Sequence, residues 1–305
     1  MTVNPHGLIL DTAVQELLDR LDGRDATLTP DDQRAHLAGE RWQTIDTGQS
    51  GPVRLWIVAP TDGGPARGTV VYLRGGGWVG GGLQTHRRLI RDLARRSGAT
   101  VVAPEYGLGP TAVYPVALHQ AYAVTRWVSD TCGTGVAPTR IALAGDSEGA
   151  ALAIGVALLA LRHRTIALRQ LVAITPVTDA GFDTASYRLF AHGYGLRRDT
   201  MMRRWDQYVP DRQVRTQVTV SPARAAAEDL VGFPPTLVLT AEADVLRDEG
   251  ETFAATLRSA GAVSTAVRYE GTIHDFVVLD ELRNTGAARA ATAQAASVLA
   301  GALTE

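Results

Sequence analysis

The segment AGDSEGA, Ala144 to Ala150, sets Ser147 between Gly145 and Gly149 in the pattern G-x-S-x-G. The letters alone are weak evidence, and a serine N-cap between two flanking glycines would satisfy them. The setting is more specific. RIALAGDS (140–147) reads as a buried strand, and the alanine- and leucine-rich stretch from about Glu148 to His163 reads as a long helix. A serine at a strand–turn–helix corner is exposed and strained. The helix N-terminus beside it offers positive potential and a free N–H to a developing oxyanion. The chemistry this predicts is attack on a carbonyl carbon.

A serine hydroxyl needs a base, and the base needs an acid to orient it. On such a sheet they follow the serine in the order acid, then histidine, each just beyond a later strand. Of seven histidines, His6, His36, His86 and His119 precede the serine. His163 ends a helix, and His192 falls before any acid at a strand end. His274, in GTIHDF after the last strand, remains. Asp244 closes the apolar run PTLVLTAEAD and is the expected acid, whereas Asp248, one turn onward, is expected to cap the next helix or orient its loop.

Acyl transfer also needs donors for the tetrahedral oxyanion, each worth about 2.7–4 kcal/mol. LRGGGWVGGG, Leu73 to Gly82, follows the apolar strand GTVVYL (68–73), and a glycine run there lets backbone approach a reacting atom. The amides of Gly76 and Gly77, with that of Glu148 after the nucleophile, are the candidate oxyanion donors. A phosphate loop fits poorly, because neither GxxxxGK[ST] nor GxGxxG with a following acid is present.

The elements that must hold these residues alternate from about residue 53 onward. Strands are expected at 53–60, 68–73, 100–106, 140–147, 168–177, 235–244 and 263–271. Helices are expected at 83–98, 115–130, 148–163, 248–260 and 285–302. This is an α/β pattern: a mostly parallel central sheet flanked by helices. VRLWIVAP and GTVVYL, joined by TDGGPARG, are expected to form an antiparallel pair near one edge. Residues 1–48 and a long polar excursion at about 179–232 break the alternation. Both are read as pieces of a helical cap, the first an N-terminal segment and the second an insertion in a core spanning 49–305. RWQTIDT (41–47) is a weak strand candidate.

The chain of 305 residues is 45% hydrophobic and 20% charged with net charge −2, which argues against nucleic acid as a main partner. Arg87, Arg88, Arg91, Arg95 and Arg96 fall at helical spacing and read as a solvated face. The single cysteine, Cys132, fits a reducing compartment and lacks neighbours that would activate it. No secretory leader or membrane-length apolar run is read, so a cytoplasmic protein off the membrane is expected. Neither cofactor nor metal is expected; the partner is a small ester or acyl substrate, and a homodimer is allowed.

With these residues in view, the chain resembles the hormone-sensitive-lipase-like family of α/β-hydrolases, which includes many bacterial carboxylesterases. GDSEGA resembles the family's GDSAGG, and EYGLGP…YPVAL (105–118) resembles DYRLAPE…FPAAL. SP at 221–222, GFPPTLVLTAEADVLRDEG and HDF follow in family order. The resemblance implies an α/β-hydrolase fold with a helical cap, and ester hydrolysis without a cofactor. Ser147 would be nucleophile, His274 base, Asp244 its partner, and Gly76, Gly77 and Glu148 the oxyanion donors. Two departures stand out: Arg74 replaces the first residue of HGGG, and Glu148 replaces alanine. Arg74 and Trp78 are assigned to loop anchoring or substrate contact. For Arg74 three accounts stand side by side: a loop anchor, an ion pair with Glu148, or a receptor for a substrate carboxylate or enolate. The function expected is a serine hydrolase cleaving carboxylic esters through an acyl-enzyme. The alternatives are acyl transfer, lactone opening or closing, or another biosynthetic step on a specialised substrate, and a non-catalytic small-molecule binder on the same fold.

Overall fold

A computed structural model describes residues 6–30, 39–60, 65–131 and 140–304; Cys132 lies outside them. Eight strands form one sheet: β1 (Glu40–Asp46), β2 (Pro52–Val58), β3 (Thr69–Leu73), β4 (Thr100–Glu105), β5 (Ile141–Asp146), β6 (Leu168–Ile174), β7 (Thr236–Ala243) and β8 (Ser264–Ile273). Their order is β1-β2-β4-β3-β5-β6-β7-β8, parallel from β4 to β8 and antiparallel for β1–β2 and β2–β4. The expected pairing of β2 with β3 does not occur, because β4 lies between them. Every residue of β3 is buried, so it takes a place well inside the sheet, with strands on both sides and helices over it. β2 turns back on β1 through the short 48–50 turn instead. The sheet therefore reaches into the 1–48 segment, where RWQTIDT supplies most of β1.

Helices α2 (Arg87–Ser97) and α8 (Gly286–Thr304) pack together on one face, and α3 (Val116–Thr131) and α4 (Ser147–His163) on the other, while α7 (Arg247–Ser259) packs on β7 and β8. α4 is buried along most of its length, which its run of alanine, leucine and glycine permits. On α2 the arginines divide. Arg95 and Arg96 are exposed, but Arg88 reaches Asp280 and two backbone carbonyls near it, and Arg91 pairs with Glu40. These two tether the helix rather than only wetting it.

Two segments lie beyond the carboxyl ends of the strands. The first contains α1 (Thr12–Leu21), capped by Asp11, and runs on through Asp25 to Leu28. The second is the 179–232 excursion, built from α5 (Ala185–Leu189), α6 (Arg198–Tyr208) and three single turns. They are bonded to each other: Ala26 N–H donates to the Gly195 carbonyl, and the Asp25 carboxylate accepts from Arg197 N–H and the Thr200 hydroxyl. α6 also stacks on the glycine loop, with Tyr208 and Trp205 rings 4.5 and 5.0 Å from that of Trp78.

Candidate active site

Ser147 stands between the last residue of β5 and the first turn of α4, with φ of 52°, a left-handed conformation unfavourable for a non-glycine residue. The corner closes only because its neighbours lack side chains. A Cβ on Gly145 would lie 2.6 Å from the Gly149 carbonyl oxygen and 2.7 Å from that of Leu73.

His274 follows β8, and Asp244 follows β7. His274 Nε2 lies 3.0 Å from Ser147 Oγ, and Nδ1 lies 2.8 Å from Asp244 Oδ2. The other Asp244 oxygen accepts Leu246 N–H at 3.0 Å, which fixes the carboxylate plane. All three side chains are buried. Burial opposes a charged imidazole, but the carboxylates of Asp244 and Asp275 outweigh it and carry the His274 pKa up to about 9. Asp275 Oδ1 lies 3.3 Å from Nε2, on the serine side of the ring. Asp248 faces elsewhere, accepting from Ser186 N–H and the Arg247 guanidinium.

The loop after β3 is held so that two of its amides stay open. Gly75 N–H donates to Asp146 Oδ1 at 3.0 Å, and Trp78 N–H to Glu148 Oε1 at 3.2 Å. Between them, the amides of Gly76 and Gly77 donate to no acceptor among the described residues. Gly76 and Gly77 have φ of 133° and 74°, so their conformations exclude most side chains. Arg74 Nη1 donates to the carbonyls of Gly75 at 2.8 Å and Gly80 at 3.0 Å, and its guanidinium lies over the Tyr106 ring. Tyr106 in turn donates to the Arg74 carbonyl. No ion pair joins Arg74 to Glu148 among the described residues; the cation that bears most on Glu148 is Arg204. Burial still pushes the Glu148 carboxyl up.

Two residues outside the expected triad, Asp146 within AGDSEGA and His86 before the serine, meet in the structure. Together they underlie the loop. Asp146 accepts from the Tyr72 hydroxyl at 2.5 Å and Gly75 N–H, and lies 3.0 Å from His86 Nε2, while His86 Nδ1 lies 2.7 Å from the Thr85 hydroxyl. Burial opposes the Asp146 charge, but His86 and the donated hydrogen bonds hold its pKa below the ordinary carboxylate value. A carboxylate at the end of an apolar strand must find buried partners, and that was the available signal. Asp275 lies within HDF but carries no expected role there, and nothing in the sequence marks Arg204. A cavity of about 260 Å³ opens on Ser147, lined by Gly76, Gly80, Gly81, Asp25 to Leu28, Arg204 and Asp275.

The chain is similar to known proteins over most of its length. A family profile described as the alpha/beta hydrolase fold matches residues 70–278. An ethyl acetate hydrolase of Pseudomonas putida is 34% identical over 236 residues, covering 77% of this chain and 74% of that protein. A carboxylesterase of Mycobacterium tuberculosis is 36% identical over 233 residues, covering 74% and 71%. The crystal structure of a thermostable esterase from Pseudomonas putida superposes with a TM-score of 0.91 at 39% identity, covering 99% of both chains. The strand order, the serine corner and these similarities lead to one conclusion: the chain belongs to the α/β-hydrolase family, in its hormone-sensitive-lipase-like branch.

Proposed function

We propose that this protein is a serine hydrolase that cleaves carboxylic esters through an acyl-enzyme, with Ser147, His274 and Asp244 as its triad. The observation that carries this reading is the continuous hydrogen-bond chain from Ser147 through His274 to Asp244, opening on a cavity that Gly76 also lines, with the Gly76 and Gly77 amides bound to no acceptor among the described residues. Ser147 Oγ attacks the ester carbonyl while His274 Nε2 takes its proton. Asp244 holds the imidazole in the needed tautomer and stabilises the imidazolium. The amides of Gly76 and Gly77, with Glu148 N–H at the start of α4, receive the oxyanion. His274 then returns the proton to the leaving alkoxide, and water repeats the sequence on the acyl-enzyme.

The N-terminal segment and the 179–232 insertion serve as the cap, a reading supported by the bonds of Asp25 and Ala26 to residues 195–200 and by their shared lining of the cavity. At about 260 Å³ the cavity suits short esters, being at the small end for ligand sites. A cytoplasmic setting is part of the proposal and draws on the single cysteine. Among the described residues no helix is long and apolar enough to cross a membrane.

Hydrolysis of p-nitrophenyl acetate and butyrate, with fluorophosphonate labelling of Ser147, tests the reading. The expected result is turnover and labelling that both vanish in Ser147→Ala. Labelling without hydrolysis would shift the reaction to acyl transfer, and the absence of both would refute an active nucleophile.

A further inference from the structure

The excursion that carries α6 is rich in arginine, and five of these side chains have partners. Arg197 pairs with Asp25 and Asp199, Arg198 donates to the Phe182 carbonyl, and Arg203 pairs with Asp199. Arg215 pairs with Asp206, and Arg224 with Asp179. Arg204 differs from all of them. It has no hydrogen bond or ion pair among the described residues, although it is half-buried.

Its position explains why this matters. The Arg204 side chain crosses Gly77 so closely that a Cβ there would lie 2.7 Å from the guanidinium carbon. It also lines the cavity that holds Ser147. Glu148 and Asp275 lie close enough to feel the Arg204 charge, and Glu148 Oε2 is buried without a hydrogen bond, but among the described residues no carboxylate stands within ion-pair distance of the guanidinium, and each has a contact of its own. Asp25 is taken by Arg197 and Thr200, Asp275 Oδ1 faces His274 Nε2, and Glu148 Oε1 accepts Trp78 N–H. A guanidinium presents up to five donors in a planar fork matched to a carboxylate. Its charge is balanced at a distance by Glu148 and Asp275, but its hydrogen-bond donors are unspent among the described residues, so an anion entering the cavity would gain the direct, charge-assisted contacts that those two do not make. Arg74, the other arginine at this site, spends Nη1 on loop carbonyls and does not line the cavity.

The geometry points to Arg204 as the receptor for a carboxylate carried by the substrate itself, so that the preferred substrates are short esters bearing a free carboxylate near the scissile carbonyl. This rests on the esterase reading above and adds to it a substrate class.

Monoethyl succinate carries the carboxylate on the acyl side, and acetoxyacetate carries it on the alcohol side. Each is compared with a neutral partner, diethyl succinate or methyl acetoxyacetate, in the wild type, Arg204→Met and Arg204→Lys. The expected result is that Arg204→Met lowers the charged-to-neutral ratio of kcat/KM about 10- to 100-fold for at least one pair, the loss of one charged hydrogen-bond partner. Arg204→Lys should recover part of it, short of the bidentate geometry. An unchanged ratio for both pairs overturns the proposal. That includes an equal fall on charged and neutral esters, which would make Arg204 part of the oxyanion site. Calorimetric titration of the same two acids into Ser147→Ala, with and without Arg204→Met, reads binding with the chemistry removed. Carboxylate binding lost with Arg204 supports the proposal even if no ester is hydrolysed, and binding that survives the substitution refutes it while leaving the esterase reading intact.

Discussion

Replacing Gly145 by alanine should cost both stability and rate, and the structure sets the size of each. The new Cβ would lie 2.6 Å from the Gly149 oxygen on α4 and 2.7 Å from the Leu73 oxygen at the end of β3. Carbon–oxygen contacts settle near 3.3 Å, so each side is short by about 0.6–0.7 Å. The two obstacles are backbone on different elements, so a single small shift cannot relieve both. Overpacking of this kind costs about 1–3 kcal/mol, whereas the lower chain entropy of alanine returns about 0.4–1 kcal/mol. At the middle of those ranges overpacking wins by about 1.3 kcal/mol, and for a chain of 305 residues Tm should fall by roughly 2 °C, and by about 4 °C at most. The same displacement moves Leu73, and with it the loop that presents Gly76 and Gly77, away from the serine corner. A misplacement approaching 1 Å costs up to about 100-fold, so a loss of roughly 10- to 100-fold in kcat/KM is expected. Thermal melting followed by circular dichroism and p-nitrophenyl acetate hydrolysis below Tm separate the two effects. Lower Tm with unchanged kcat/KM would refute the coupling between serine corner and loop, and wild-type values of both would refute the clash itself.

The pH profile carries a second expectation. The proposed base, His274, can accept a proton only when neutral, and its pKa is carried up to about 9, so kcat/KM should rise with pH to a midpoint above the ordinary 6.5. Asp275→Asn removes one of the carboxylates responsible and should move that midpoint down; an unmoved midpoint would exclude Asp275 from the electrostatics of the base. Stability should run the opposite way. A folded pKa above the unfolded value makes the His274 contribution complete below about pH 6.5 and lost as pH climbs through about 9, readable from denaturant midpoints. For Arg74→Met, two charged hydrogen bonds to loop carbonyls disappear, each worth about 1.5–3 kcal/mol. That variant should lower kcat at least about 10-fold with a smaller change in KM, because a loosened loop weakens oxyanion binding. A raised KM with kcat unchanged would assign Arg74 to substrate binding instead.

The local order of strands and helices was legible because buried parallel strands and amphipathic helices write different periods into the chain. Ser147, Asp244 and His274 could be singled out for a related reason: each sits at the end of a readable element, and the order of those elements limits what can face the serine. The place of β4 between β2 and β3 was not legible, because strand pairing is settled by long-range burial that a Gly/Pro-rich connection does not encode. The contact of Asp146 with His86 was not legible either, because it spans 60 residues. The sequence leaves an Arg74–Glu148 ion pair open as one of three accounts, opposite charges flanking one proposed oxyanion site. In the structure each anchors the glycine loop separately, Arg74 through its carbonyls and Glu148 through the Trp78 amide. The sequence by itself determined the reaction class, since a nucleophile corner and its loop are local constructions. Only the tertiary structure decided which charges line the cavity, Asp25 and Asp275 beside Arg204. Arg204 arrives there from α6, more than 50 residues after the serine, through the packing of Trp205 and Tyr208 on Trp78.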